Sequence, residues 1–83
     1  MQIVTWNVNS INARIEHVTK YIKEDQSDIY LLQELKCINE NFPLNEIKNL
    51  RYNVIINGQK AWNGVAIISK KPINVIYNKI PTF

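Results

Sequence analysis

Ile29-Tyr30-Leu31-Leu32 is the stretch that decides the fold, because all four residues are apolar and Gln33 and Glu34 follow directly. An apolar run of this length, without alternating polar residues, predicts a strand buried on both faces of a sheet. Val65-Ala66-Ile67-Ile68 is a second run of the same kind and predicts another such strand. The pattern therefore indicates an α/β fold with two-faced strands in its sheet.

The other segments complete an alternation of strands and helices. β-branched and aromatic residues over 2–6 predict a strand. A helix is predicted next, because apolar residues follow at helical spacing, namely Ile11, Ile15, Val18 and Ile22. Asn9 or Ser10 would cap this helix, and it would end near Asp25. The predicted order is β-α-β-α-β-β-β, and its later members are a helix over 44–50 and strands over 52–57, 65–68 and 73–77.

The two predicted helices are too few for this sheet. Strands over 29–32 and 65–68 need apolar cover on both faces, and two helices suffice for one face. The residues alone therefore predict half of a larger domain, or a chain with an obligate partner.

Composition restricts the class of protein. With 83 residues the chain has room for one small domain, and a 46% hydrophobic content is typical of a globular chain rather than a disordered one. Its apolar runs are far shorter than the ~20 residues of a membrane helix, and no signal peptide is expected. The single Cys37 excludes an internal disulfide and favours a cytoplasmic location. A net charge of +3 mildly favours a polyanionic partner.

Asn7 and Glu34 are the candidate site residues, since each follows a predicted strand and one helix joins the two strands. If the strands are parallel neighbours, both side chains lie at the carboxyl edge of the sheet, where open α/β sheets place their sites. An amide oxygen and a carboxylate are hard ligands suited to Mg²⁺. The spacing alone also fits a second interpretation, in which Asn7 is a turn residue and Glu34 pairs with Lys36.

Three stretches resemble bacterial exonuclease III of the endonuclease/exonuclease/phosphatase superfamily, in order and at family spacing. They are MQIVTWNVNSINAR over residues 1–14, LQELK over 32–36 and GQKAWNGVAIIS over 58–69, and Asn41-Phe42-Pro43 fits the segment between. The resemblance implies an α/β fold that is the N-terminal half of a four-layer α/β sandwich, the DNase I-like fold, incomplete in this chain. Residues 1–83 would then be the N-terminal part of one exonuclease III-like domain.

The resemblance also implies an activity, namely Mg²⁺-dependent hydrolysis of double-stranded DNA at 3′ ends and abasic sites in base-excision repair, with Mn²⁺ as an alternative ion. Asn7 would lie in the metal–phosphate site and Glu34 would be the metal-binding carboxylate. Asn12 stands where many members have Arg. The positions implied to contact nucleic acid are Asn9, Ser10, Asn12, Ala13 and Lys60. Lys60 with Trp62 fits a plain surface hairpin equally well.

The groups that activate water in this family lie beyond Phe83, so we expect no catalytic residue here other than the metal site. Whether the chain is itself an enzyme stays open. The alternatives are a non-catalytic remnant and a small nucleic-acid-binding protein. A lipid-headgroup phosphatase is disfavoured by the run from Asn9 to Arg14. The expected partner is double-stranded DNA, and no membrane contact is expected. The uncovered sheet face would be met by a separate C-terminal half or by self-association.

Three other residues invite functional interpretations that the sequence disfavours. His17 lies off the apolar stripe of the first helix and is expected to face solvent. Cys37 has no adjacent His and no second Cys, which argues against a nucleophile. Trp6 alternates out of a strand and is expected in the core. Arg14 and Lys36 are weaker candidates for phosphate contacts.

Overall fold

The computed structural model describes residues 1–58 and 64–72. Its elements in chain order are β1 (Ile3–Asn7), α1 (Ile15–Asp25), β2 (Ile29–Gln33), a 3₁₀ turn (Asn39–Asn41), α2 (Leu44–Lys48), β3 (Asn53–Gly58) and β4 (Gly64–Ser69). This order confirms the predicted pattern as far as β4. The strand predicted over 73–77 lies outside the described residues.

The four strands form one mixed sheet in the order β1-β2-β4-β3. β1 and β2 are parallel, as expected for strands joined through a helix, and β4 runs antiparallel to both β2 and β3. β2 and β4 are the two inner strands, which explains why they are the most continuously apolar segments of the sequence. Within the described residues, no helix is long and apolar enough to cross a membrane.

Helix α1 begins later than its apolar stripe. Ile11 is fully buried, but it lies in a turn over residues 11–14, and the helix starts at Ile15. The predicted start near Ser10 was therefore wrong by several residues, because a core-facing side chain in a turn continues the helical spacing. The predicted end was correct, since the helix stops at Asp25 and Gln26 follows in a left-handed conformation.

One face of the sheet packs against the helices. Its fully buried members on the inner strands are Tyr30, Leu32, Ala66 and Ile68. They join one cluster with Val18 and Ile22 of α1 and Ile47 of α2. This cluster is the hydrophobic core of the described chain.

The opposite face of the sheet is only partly covered. Alternate residues on β2 and β4 face away from the core and are half-buried, namely Ile29, Leu31, Val65 and Ile67. On β1 the side chain of Ile3 is 55% exposed. Within the described residues, the inner strands are therefore fully buried on one face only, as expected from a chain with cover for one face of its sheet. The predicted shortage of helices is confirmed for the same part of the chain.

Candidate functional site

Asn7 and Glu34 lie at the same edge of the sheet. The register pairs Asn7 with Gln33, and Glu34 is the next residue along. The ladder continues past the strand ends, because the Val8 N–H donates to the Gln33 carbonyl at 3.0 Å. The two residues therefore lie at the same end of the sheet as predicted, and the approach of their side chains to one metal ion stays a prediction.

Backbone hydrogen bonds hold the turn after β1 against the segment after β2. The Ser10 N–H donates to the Glu34 carbonyl at 2.9 Å, and the Ile11 N–H donates to the Leu35 carbonyl at 3.0 Å. The Leu35 N–H in turn donates to the Gly64 carbonyl of β4 at 3.2 Å. The segment around Glu34 is therefore held on one side by the turn after β1 and on the other side by β4.

Left-handed backbone conformations are concentrated at this edge. The φ angles are 49° at Asn9, 85° at Ser10, 55° at Glu34 and 55° at Lys36. A non-glycine residue pays about 1–2 kcal/mol for this conformation, and such residues persist where the surrounding contacts impose them. Between Glu34 and Lys36 lies Leu35, which is fully buried and anchors the segment. Strained backbone of this kind is common at functional sites.

The Asn7 side chain shapes the turn that follows it. Its Oδ1 accepts a hydrogen bond from the Asn9 N–H at 3.1 Å. Asn7 is thus the last residue of β1, and its side chain accepts from the turn that follows. This bond is compatible with a ligand role because an amide oxygen has two lone pairs. The Lys36 ammonium donates to Asn9 Oδ1, which places a cation at the same turn.

The predicted DNA-contacting turn is exposed and internally braced. Ser10 Oγ accepts from the Ala13 N–H at 3.3 Å, and Asn12 Nδ2 donates to the Asn41 carbonyl at 3.1 Å. Asn9, Asn12 and Ala13 are exposed, and Ser10 is half-buried. DNA contact by these four residues stays a prediction. Lys60 lies outside the described residues, as does its neighbour Trp62.

Two residues of this edge were missed by sequence reasoning. Gln33 is the register partner of Asn7, is exposed, and shares its face of the sheet. Its position directly before Glu34, at the end of a predicted strand, could have identified it as a site candidate. Asn41 holds Asn12 from 29 residues away along the chain, a contact for which the sequence carries no signal.

Apart from Cys37, the groups with shifted pKa values lie toward the end of the sheet opposite Glu34, where β2 begins. The Ser27 hydroxyl, and after it that of Tyr30, hold the pKa of Asp25 below its ordinary value. Burial raises the pKa of Tyr30 and of Tyr52. The Tyr30 hydroxyl donates to Asp25 at 2.8 Å, and the Tyr52 hydroxyl donates to the Ser27 carbonyl at 2.8 Å. These groups form a structural network remote from Glu34.

The other residues considered for catalysis are placed as expected. His17 is exposed on α1. Cys37 is buried, and burial raises the pKa of its thiol, which disfavours the nucleophilic thiolate. Trp6 is half-buried against the core and makes an edge-to-face contact with Tyr21 at 5.1 Å between ring centroids.

The donor set at the edge is small. Across residues 1–58 and 64–72, no group of three His, Cys, Asp or Glu side chains is placed to hold a metal ion. The proposed donors are the Glu34 carboxylate and the Asn7 amide oxygen, and the Gln33 amide lies beside Asn7 on the same face of the sheet.

Comparison with known proteins identifies the class. The profile of the Endonuclease/Exonuclease/phosphatase family matches residues 4–81, so the chain belongs to this family. It is 37% identical over 82 residues to Exodeoxyribonuclease III of Haemophilus influenzae, an alignment that covers 99% of this chain and 31% of that protein. The chain thus spans about a third of the length of this relative.

Solved structures agree with that assignment. The chain is similar to an AP endonuclease from Archaeoglobus fulgidus, with a TM-score of 0.81 and 41% identity over 84% of this chain and 27% of that one. It is also similar to the 3′ phosphatase NExo from Neisseria bound to product DNA hairpin, with a TM-score of 0.78 and 41% identity over 82% of this chain and 26% of that one. The α/β, DNase I-like fold expected from the sequence is confirmed.

Proposed function

We propose that this chain supplies the metal-and-phosphate edge of a Mg²⁺-dependent phosphodiester hydrolase of the exodeoxyribonuclease III and abasic-site endonuclease type, acting on double-stranded DNA in base-excision repair. The observation that carries the proposal is the convergence of Asn7 and Glu34 on one braced sheet edge. The names of the relatives, which include an exodeoxyribonuclease and an AP endonuclease, support the substrate class.

The donor chemistry at this edge fits Mg²⁺. This ion is usually bound through one or two carboxylates, with water and substrate phosphate completing its shell. Glu34 offers the carboxylate, and Asn7 offers an amide oxygen with one lone pair already accepting from the Asn9 N–H. A bound Mg²⁺ supplies charge stabilisation at the phosphoryl oxygens, and Mn²⁺ prefers the same oxygen ligands.

The residues of the chain position the substrate rather than activate water. The hydrogen bonds from Ser10 and Ile11 fix the backbone of the Glu34 segment relative to the turn that would face the phosphate backbone. The Lys36 ammonium at Asn9 adds positive charge at that turn. His17 is exposed on α1, and Cys37 is buried with a raised thiol pKa, so neither is assigned the role of general base.

The test is metal-dependent DNA binding by the full chain. A short duplex with an abasic-site analogue is titrated with the chain, with and without Mg²⁺, and fluorescence anisotropy is recorded. We expect Mg²⁺ to tighten binding, and Glu34→Gln to abolish this effect because the isosteric amide lacks the charge. Glu46→Gln is the matched control, since Glu46 is exposed on α2. An equal Mg²⁺ effect in both variants would refute the metal site.

The same titration separates the proposal from a small nucleic-acid-binding protein. That alternative predicts duplex binding that neither Mg²⁺ nor the Glu34→Gln substitution changes. A remnant without function predicts no binding to the duplex at all.

A further inference from the structure

We propose that a cleft between the end of α2 and the start of β3 binds a nucleoside monophosphate. The cleft has a volume of about 550 Å³, which is in the range of small-molecule sites. Its lining combines polar with apolar residues, namely Lys48, Arg51 and Asn53 with Val54, Ile55 and Pro72. A nucleoside monophosphate has the same division, because its phosphate is anionic and the faces of its base are apolar.

This cleft is remote from the candidate metal site. Asn53 begins β3 and is in register with Ser69, the last residue of β4. Ser69 is in turn in register with Ile29, the first residue of β2, whereas Glu34 follows the last residue of that strand. Strand β2 has five residues and rises about 3.3 Å per residue, so its two ends are roughly 15 Å apart. The cleft is therefore a second site, separate from the proposed function.

The two cations of the cleft supply the phosphate-binding end. The side chains of Lys48 and Arg51 are exposed, and neither makes an ion pair or a side-chain hydrogen bond within residues 1–58 and 64–72. The Arg51 N–H donates to the Lys48 carbonyl at 2.9 Å, which closes the turn after α2 and holds both residues beside the cleft. A phosphate monoester carries a charge of about −1.5 to −2 at pH 7, so two cations match one such group. The guanidinium can also donate paired hydrogen bonds to phosphate oxygens.

The backbone of Arg51 gives a second argument for a ligand. Its φ angle is 65°, a left-handed conformation that glycine adopts without the steric cost of a side chain. Residues held in such conformations are concentrated at functional sites. The turn requires only the backbone, so it does not account for a long cationic side chain at this position. An anionic ligand in the cleft does account for it.

The other lining residues favour a nucleoside phosphate over a bare anion. Val54 and Ile55 are half-buried and Pro72 is exposed, so the cleft offers apolar surface to a base or a sugar. The Asn53 Nδ2 donates to two backbone carbonyls at the end of β4, at 3.3 Å each. Its Oδ1 has no hydrogen-bond partner among the described residues, and it offers an acceptor to a sugar hydroxyl or a base amino group.

The experiment titrates the full chain with deoxyadenosine 5′-monophosphate in the absence of Mg²⁺ and follows the backbone amide shifts by NMR spectroscopy. We expect shifts at Arg51, Asn53 and Val54, and none at Glu34. Deoxyadenosine and inorganic phosphate each lack one half of the ligand and should bind at least about tenfold more weakly, the scale of one charge-assisted hydrogen bond. Shifts confined to the edge at Glu34, or equal affinity for inorganic phosphate, would overturn the proposal and leave the proposed function standing.

Two substitutions of Arg51 separate a ligand role from a structural one. Arg51→Gly and Arg51→Ala both remove the guanidinium, but glycine suits the left-handed backbone, so Arg51→Gly should have the higher urea midpoint. Both variants should weaken binding of the monophosphate by about tenfold or more. Affinity that follows the urea midpoint rather than the loss of the guanidinium would show that the residue acts only through the fold.

Lys48→Gln tests the second cation and should weaken binding by about two- to fivefold, the scale of one exposed charge interaction. Lys23→Gln is the matched control, because Lys23 is likewise an exposed basic residue in the last turn of its helix and does not line the cleft. Equal weakening in the two variants would reduce the effect to the net charge of the chain and overturn the site.

Discussion

Gln26 shows how a single residue limits the stability of α1. It follows the helix at a φ of 56°, and its N–H donates to the Ile22 carbonyl at 3.0 Å. Glycine adopts this conformation without the cost that a side chain brings. Gln26→Gly should therefore be about 1 kcal/mol more stable than Gln26→Ala. Both variants lose the same side-chain hydrogen bonds, so their difference in urea midpoint isolates the backbone. Equal midpoints would contradict this explanation.

The buried Tyr30 should limit the stability of the folded chain at alkaline pH. Burial raises its pKa above the ordinary value of 10.0, so the folded chain holds the phenolic proton more tightly than the unfolded chain does. The resulting stabilisation is complete below pH 10 and is lost as the pH rises further, and Tyr52 acts in the same direction. Urea midpoints should fall above about pH 10. Tyr30→Phe should reduce that fall, and an unchanged alkaline slope in this variant would assign the effect to other groups.

At the scale of elements, the turn after β1 depends on a contact distant in sequence. Asn12 Nδ2 donates to the carbonyl of Asn41 in the 3₁₀ turn. Asn12→Ala should speed amide exchange at Ser10 and Ile11, because an exposed neutral hydrogen bond stabilises by about 0.5–1.5 kcal/mol. Asn45→Ala on α2 is the control, since Asn45 is exposed and its side chain makes no hydrogen bond within the described residues. Unchanged exchange at Ser10 would show that backbone bonds alone hold the turn.

The elements also show what a sequence can predict. The inner strands were found because continuous apolar runs report burial, and the common edge of Asn7 and Glu34 followed from a parallel pair joined by one helix. The start of α1 was misplaced, because Ile11 faces the core from a turn. The left-handed backbone at Glu34 and the hydrogen bond from Asn12 to Asn41 arise from tertiary contacts, and no local sequence pattern predicts them.

At the scale of the whole molecule, we predict that the chain alone does not hydrolyse DNA at a meaningful rate. A general base contributes about 10²–10⁴-fold, and oriented electrostatic groups contribute about as much again. Within the described residues neither is placed at Glu34. The measurement is nicking of an abasic-site duplex with Mg²⁺, with the Glu34→Gln variant as background. Turnover by the unmodified chain close to that of a full-length relative would show that the chain is a sufficient enzyme.

The half-covered sheet face leads to the last prediction, which concerns self-association. Leu31, Ile67 and Ile55 are in register across β2, β4 and β3, and all three are half-buried. Four strands of about five residues, at ~3.3 Å per residue and ~4.8 Å between strands, present roughly 300 Å² on this face. If all of that area were apolar and lay in water, about 8 kcal/mol would be forgone at ~25 cal/mol per Å², which is an upper bound for half-buried side chains. Because a small domain is stable by only ~5–15 kcal/mol, the purified chain should be partly unfolded, aggregate or dimerise through this face.

The pair Leu31→Thr and Ile67→Thr tests whether this face is the cause. Threonine keeps the strand preference of a β-branched residue while reducing the apolar surface, so the double variant should elute from size-exclusion chromatography with a larger monomer fraction. Tyr21→Gln is the control, because Tyr21 is 42% exposed on α1, which packs on the other face of the sheet, so its loss should change the elution less. Were the unmodified chain a monodisperse monomer with a steep urea transition, it would cover its own sheet. Other residues among the 83 would then supply the apolar cover that the two helices do not.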